Sequence, residues 1–193
     1  MPHDFWTLSR VARALELPPY HATERMIRSV ATDTRALQPG DLFVALRGER
    51  FDAHDFLADA VRAGAAALVV SDAARAAGCG VPVFAVDDTL HALGALGRYF
   101  RAAWNFPVVA VGGSNGKTST KELLKAALGA RYTVHATTGN LNNQVGTPLT
   151  LLSLPPGADC AVVEVGTNIP GEITLLRAIV APDAAVVTCV QEE

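Results

Sequence analysis

The chain has 193 residues, half of them hydrophobic and 18% charged, with 16 glycines and 11 prolines, an ordinary globular composition that can bury a core and hold one or two domains. A formal net charge of −3 excludes a nucleic-acid binder that works through a broad basic surface. No basic-then-apolar leader opens the chain, no apolar run approaches 18 residues, and the three cysteines (Cys79, Cys160, Cys189) have no Cys-x-x-Cys spacing. The expectation is a cytoplasmic protein with buried free thiols at Cys160 and Cys189, no metal-ligand spacing among its histidines, no membrane insertion, and a monomeric state.

In chain order, residues 8–16 read as a short helix with Thr7 as its cap. Residues 29–34 and 41–46 read as strands joined through a Pro39-Gly40 turn. Residues 54–63 read as a helix closed by Gly64, and 67–70 and 81–86 as further apolar strands. Asp88 caps a helix running to about Ala103, which Asn105-Phe106-Pro107 breaks. A second series follows: strand 108–111, helix 118–129, strand 132–136, helix 144–152 with Pro148 in its first turn, strand 160–165, helix 171–179 and strand 184–190. Apolar strands alternating with helices predict an α/β protein. The expected architecture is a small N-terminal α/β domain over 1–87, a helical linker over 88–107, and a P-loop mononucleotide-binding domain over 108–193 with a mostly parallel, doubly wound sheet. About four strands in that second sheet fall short of the usual five or six, so the second domain is expected to be incomplete.

The most informative segment is Gly113-Ser114-Asn115-Gly116-Lys117-Thr118, between the run Val108–Val111 and a helical stretch. Backbone N–H groups of such a turn point at phosphate oxygens, a lysine reaches the outer phosphates, and a threonine hydroxyl binds Mg²⁺. The general phosphate loop has glycine six residues before the lysine, where this chain has Val111. An ordinary βα turn with a surface lysine would leave Gly112, Gly113, Gly116 and Asn115 unexplained. All three lysines, 117, 121 and 125, fall on this helix, and helical periodicity puts Lys121 and Lys125 on a solvated face opposite Leu123, Leu124, Ala127 and Leu128.

Glu164 stands near the carboxyl end of an apolar strand, where open α/β sheets bind ligands. It is placed to hold Mg²⁺ directly or through water, the alternative being a solvent-facing edge position. Thr138-Gly139-Asn140-Leu141-Asn142-Asn143 and Gly166-Thr167-Asn168 are either site loops or plain turn chemistry. In the first unit, Arg35 is either a phosphate grip or the partner of Asp33, and His54 either a helix-start capping group or a ligand contact.

Together these segments resemble the Mur ligase family, the ATP-dependent ligases of peptidoglycan precursor synthesis. The loop resembles that family's Thr-Gly-x-Asn-Gly-Lys-Thr version, with Gly112 where the family has threonine. Gly139-Asn-Leu-Asn-Asn-Gln-Val-Gly-Thr-Pro-Leu-Thr-Leu-Leu152 and Glu164-Val-Gly-Thr-Asn-Ile-Pro-Gly-Glu-Ile173 are similar to the branch that adds D-alanyl-D-alanine. The resemblance implies a three-domain ligase whose first domain binds a UDP-N-acetylmuramoyl-peptide and whose second binds ATP and Mg²⁺. This chain would carry the first and the front of the second, without turnover alone. It also implies phosphate and nucleotide contacts from Gly113, Ser114, Asn115, Gly116, Lys117, Thr118 and Ser119, with Lys117 and Glu164 catalytic and Thr118 and Glu164 on the metal. Asp33, Thr34, Arg35, Gly48, His54, Asn140, Asn143 and Asn168 are the substrate-side candidates. The rival classes are a sister ligase adding a diamino acid, a folylpolyglutamate-synthase-like ligase, a binding module without catalysis, and a GTPase, which the missing Asn-Lys-x-Asp motif disfavours.

Overall fold

The computed structural model describes residues 5–48, 51–167 and 169–190. The chain divides into two compact units between Leu96 and Gly97, inside a single helix. Among the described residues no helix is long and apolar enough to cross a membrane.

The first unit opens with β1 (Trp6–Thr7), α1 (Leu8–Ala14) and β2 (Met26–Ile27), the two strands pairing antiparallel. The Thr7 hydroxyl accepts from the Arg10 N–H and caps α1, as its sequence position predicts. Strands of two residues carry no readable alternation, so β1 and β2 are absent from the sequence-based expectation. A four-stranded parallel sheet follows in the order β3 (Val30–Ala31), β4 (Leu42–Val44), β5 (Ala67–Val70), β6 (Val83–Ala85). Every residue of β4 and β5 is buried, as apolar runs in a parallel sheet should be.

The strands β3 and β4, with Pro39-Gly40 in their connection, run parallel, so the connection is a crossover and not a tight reversal. Gly40, at φ +92°, instead donates its N–H to the Gly64 carbonyl and accepts from the Arg28 N–H, which turns the connection under the sheet. Asp41 beside it is buried and takes both Nε and Nη2 of Arg28 at 3.0 and 3.1 Å plus the Gln38 N–H. The helix expected over 54–63 begins as a 3₁₀ turn (Ala53–Phe56), capped by Asp52, and continues as α2 (Leu57–Arg62). Leu37, Phe43, Leu57, Leu68 and Val70 form this unit's core.

Helix α3 (Thr89–Ala102) starts at Asp88, whose Oδ1 accepts from the Leu90 and His91 N–H groups. The second unit then runs β7 (Val108–Gly112), α4 (Lys117–Gly129), β8 (Val134–Ala136), α5 (Gly146–Leu152), β9 (Cys160–Glu164), α6 (Glu172–Val180) and β10 (Ala184–Val187). Its sheet is parallel throughout, ordered β10-β7-β9-β8. The register sets Val111 beside Glu164 and Gly112 beside Val187. The carboxyl ends of three neighbouring strands therefore stop level, and the loops leaving them converge.

The buried Arg101 guanidinium ties this unit together. It donates to the Val180 and Ala181 carbonyls and to Asp183, whose Oδ2 also accepts the Val108 N–H at the start of β7. Two expectations need correction. Lys121 is not on a solvated face: residues 117, 121, 124 and 128 turn inward, while Leu123 is 72% exposed. Cys160 is a buried free thiol, but Cys189 lies past β10 and is only partly buried.

Candidate functional site

The loop Gly113–Gly116 leaves β7 and delivers the chain to α4. Gly113 sits at φ +129°, and a Cβ there would overlap the Thr188 hydroxyl and stand 2.8 Å from the Cys189 carbonyl oxygen. Only glycine fits both the backbone angle and the space. Gly116, at φ +79°, is the N-cap of α4 and offers no side-chain cap, so the positive end of the helix faces outward from the loop. The segment after β10 braces the turn: Ser114 N–H donates to the Cys189 carbonyl at 2.8 Å, and the Thr188 hydroxyl bonds the carbonyls of Gly112 and Asn115. From the β9 side, the Thr167 hydroxyl donates to the Gly113 carbonyl.

Lys117, half-buried, donates from Nζ to the Gly113 carbonyl at 2.7 Å, so its ammonium lies across the mouth of the loop. Thr118 and Ser119 are exposed in the first turn of α4. The Thr118 hydroxyl donates to Glu164 Oε2 at 3.1 Å. Glu164 is buried; its Oε1 accepts from Asn142 Nδ2 at 2.8 Å and its N–H donates to the Thr137 hydroxyl at 2.9 Å. The solvent-facing alternative for Glu164 is thereby removed.

One carboxylate and one hydroxyl side by side are hard oxygen donors of the kind Mg²⁺ takes. Among the described residues there is no group of three or more His, Cys, Asp or Glu that would make an all-protein cage. Magnesium is commonly bound by one or two carboxylates completed by substrate phosphates and water, and the residues present fit that pattern.

The asparagine loop divides its work differently from the sequence-based expectation. Asn143 Oδ1 accepts from the N–H groups of Val145 and Gly146 and caps α5. Asn140 is exposed, and its carbonyl accepts from the Asn142 N–H. Asn142, passed over in the sequence, is the one that reaches Glu164. Asn168 lies outside the described residues.

In the first unit, Asp33, Thr34, Arg35 and Gly48 line a cavity of about 670 Å³ together with Phe51 and Phe56. Arg35 grips Asp33 through Nε and Nη2, so the ion-pair alternative is the one realised. The guanidinium and the Arg35 N–H hold the Asp33 carboxyl down at about 2. His54 does not line this cavity. It is buried, its Nε2 accepts the Ser71 N–H at 3.0 Å, and its Nδ1–H therefore donates to Asp52 Oδ1 at 2.6 Å. The His54 N–H, together with this ring contact, keeps Asp52 below its ordinary value. His54 is thus a bridge between the Asp52 cap and the end of β5.

Gly112 differs from Gly113 in having room. A Cβ there would stand 3.4 Å from Val165 Cγ2 and 3.7 Å from Ile173 Cδ1, at a backbone angle any residue adopts. Gly112→Ala is expected to stabilise the chain by about 0.5–1 kcal/mol, since glycine inside a strand costs that much relative to alanine. Thermal melting checks this, and a fall in midpoint would refute the space assigned to that position.

Two family models match the chain: the Mur ligase family catalytic domain over residues 26–101 and the Mur ligase middle domain over residues 111–193. The UDP-N-acetylmuramoyl-tripeptide–D-alanyl-D-alanine ligase of Bacillus subtilis (strain 168) is 44% identical over 182 residues, covering 94% of this chain. This chain spans 39% of that relative's length. A crystal structure of MurF from Acinetobacter baumannii superposes with a TM-score of 0.85 at 37% identity, over 97% of this chain and 41% of that one. MurF ligase from Thermotoga maritima in complex with ADP superposes at 0.76 and 35% identity, over 83% of this chain and 37% of that one. The matched models fall on both units, and the chain belongs to the Mur ligase family.

Proposed function

We propose that this chain supplies the nucleotide-phosphate site and the sugar-nucleotide unit of an ATP-dependent ligase that joins D-alanyl-D-alanine to UDP-N-acetylmuramoyl-tripeptide in the cytoplasm. The observation that carries the proposal is the meeting of Thr118 and Glu164 at the mouth of the glycine loop. The relatives' names supply the substrates, and the ADP complex of the Thermotoga neighbour supports the nucleotide.

A peptide carboxylate is a poor acylating agent, so the ligase phosphorylates it with ATP, and the amine displaces phosphate from the acyl phosphate. Catalysis of such a transfer is positioning and charge stabilisation more than covalent work by the protein. The N–H groups of residues 115–118, from the end of the loop into the start of α4, bind phosphate oxygens, and Lys117 exchanges its carbonyl partner for an outer phosphate. Thr118 and Glu164 hold Mg²⁺, which supplies neutralisation of the charge that builds up on the transferring group. Asn142 orients the Glu164 carboxylate. In the first unit, the cavity beside Asp33 and Gly48 receives the sugar nucleotide.

Calorimetric titration tests both halves. ATP binding should tighten as Mg²⁺ rises, and Glu164→Gln should raise the Mg²⁺ concentration for half the effect by about tenfold or more, since a hydrogen-bonded or ligating charge is worth about 1.5–3 kcal/mol. UDP-N-acetylmuramoyl-tripeptide should bind wild type and variant alike. Unchanged Mg²⁺ dependence refutes the metal assignment, and no binding of the tripeptide nucleotide refutes the substrate.

A further inference from the structure

Lys121 is 1% exposed on the inward face of α4. An ammonium in such a place is costly unless paired and hydrogen-bonded, and an apolar side chain would fill the space without that cost. Its Nζ donates to the Thr137 carbonyl at 2.8 Å and lies 2.9 Å from Glu122 Oε1. Thr137, also buried, is bonded on two further sides. Its N–H donates to the Val162 carbonyl, continuing the β8–β9 ladder by one residue, and its hydroxyl accepts the Glu164 N–H. Immediately after Thr137 the chain enters the asparagine loop, from which Asn142 reaches Glu164 Oε1. Thr118, one turn before Lys121 on the same helix, reaches Oε2. Helix α4 therefore meets Glu164 twice: directly through Thr118, and through Lys121 and Thr137 at the backbone behind the carboxylate.

We propose that Lys121 is a positioning residue of the magnesium-nucleotide site, fixing through Thr137 both the backbone of Glu164 and the root of the loop that carries Asn142. An apolar side chain of the same length would fill the space but could not donate to the Thr137 carbonyl. The inference rests on the magnesium role given to Glu164 above. Groups that orient metal ligands commonly change metal affinity by about 10–100-fold when removed.

The test is Mg²⁺-dependent ATP binding by the chain, with thermal melting measured alongside. Lys121→Met keeps the unbranched stem and removes the donor and charge. It should raise the Mg²⁺ concentration for half-maximal effect about tenfold or more while leaving ATP binding in EDTA unchanged. Thr137→Val removes the acceptor for the Glu164 N–H but keeps the carbonyl that Lys121 holds; it should shift the Mg²⁺ dependence in the same direction, and Thr137→Ser should restore it. If Lys121→Met does not fold, the Thr137 pair decides. A lysine with a merely structural role would move melting and both affinities together in Lys121→Met, and that result overturns the inference. Wild-type Mg²⁺ dependence in Lys121→Met, or in Thr137→Val when the first is unfolded, overturns the inference. ATP binding by the unaltered chain that ignores Mg²⁺ overturns the role of Glu164 and this inference with it, so the two failures are told apart.

Discussion

Lys117→Ala is expected to weaken Mg²⁺-ATP binding by about ten- to hundredfold, with little change in melting temperature. The Lys117 ammonium lies 2.7 Å from the Gly113 carbonyl, inside the turn proposed to receive the phosphates. Hydrogen bonds to charged groups contribute about 1.5–3 kcal/mol, and 1.4 kcal/mol is a factor of ten. The net effect is smaller than the gross attraction between an ammonium and a triphosphate, because binding exchanges one oxygen partner for another. Stability should hold because alanine keeps the helix start and the Gly113 carbonyl remains within reach of the Thr167 hydroxyl. Calorimetry and a melting curve on the same preparation check this. An affinity within about twofold of wild type would show that the lysine plays no part in phosphate binding.

Gly146→Ala should produce the second large effect, on stability first and metal dependence second. Gly146 opens α5 and is buried, and a Cβ there would overlap Leu141 Cα and stand 2.5 Å from its carbonyl carbon and 2.8 Å from its Cβ. The obstacle is backbone, not a side chain that can rotate away. The loop 138–143 must lift for a methyl to enter. Overpacking of this kind costs about 1–3 kcal/mol, and for a chain of this length each kcal/mol lowers the melting midpoint by about 2–4 °C. Lifting the loop also displaces Asn142 from Glu164, a contact of 2.8 Å. Gly146→Ala should therefore require more Mg²⁺ for ATP binding than wild type does. An unchanged melting curve would mean that the loop does not lie against α5.

What the sequence disclosed and what it hid follow from the range of the forces involved. The conformation of the glycine loop was legible because its demands are local: a strand end, glycines at positive φ, and a lysine and threonine at a helix start fix one another within six residues. Thr7, Asp88 and the buried parallel strands were legible for the same reason. Lys121 was misread because amphipathic reasoning sends every charge outward, whereas here the helix phase set by Lys117 and Leu124 turns it inward and a carbonyl 16 residues away satisfies it. Asn142 could not be told from Asn140 and Asn143 because three asparagines in a turn have equal local chemistry; only the register of β9 shows which one faces Glu164. His54 stays open in the sequence between a helix-start capping group and a ligand contact, because its partner Ser71 is 17 residues away and contributes a backbone N–H, which leaves no trace in residue type.

A crystal structure of the chain with Mg²⁺ and a non-hydrolysable ATP analogue tests the central claim most directly. Phosphate oxygens are expected within hydrogen-bonding distance of the N–H groups of residues 115–118 and of Lys117 Nζ, with a metal ion about 2.0–2.1 Å from the Thr118 hydroxyl and Glu164 in its coordination shell or one water away. Phosphates seated elsewhere, or a metal ion remote from Glu164, would contradict it.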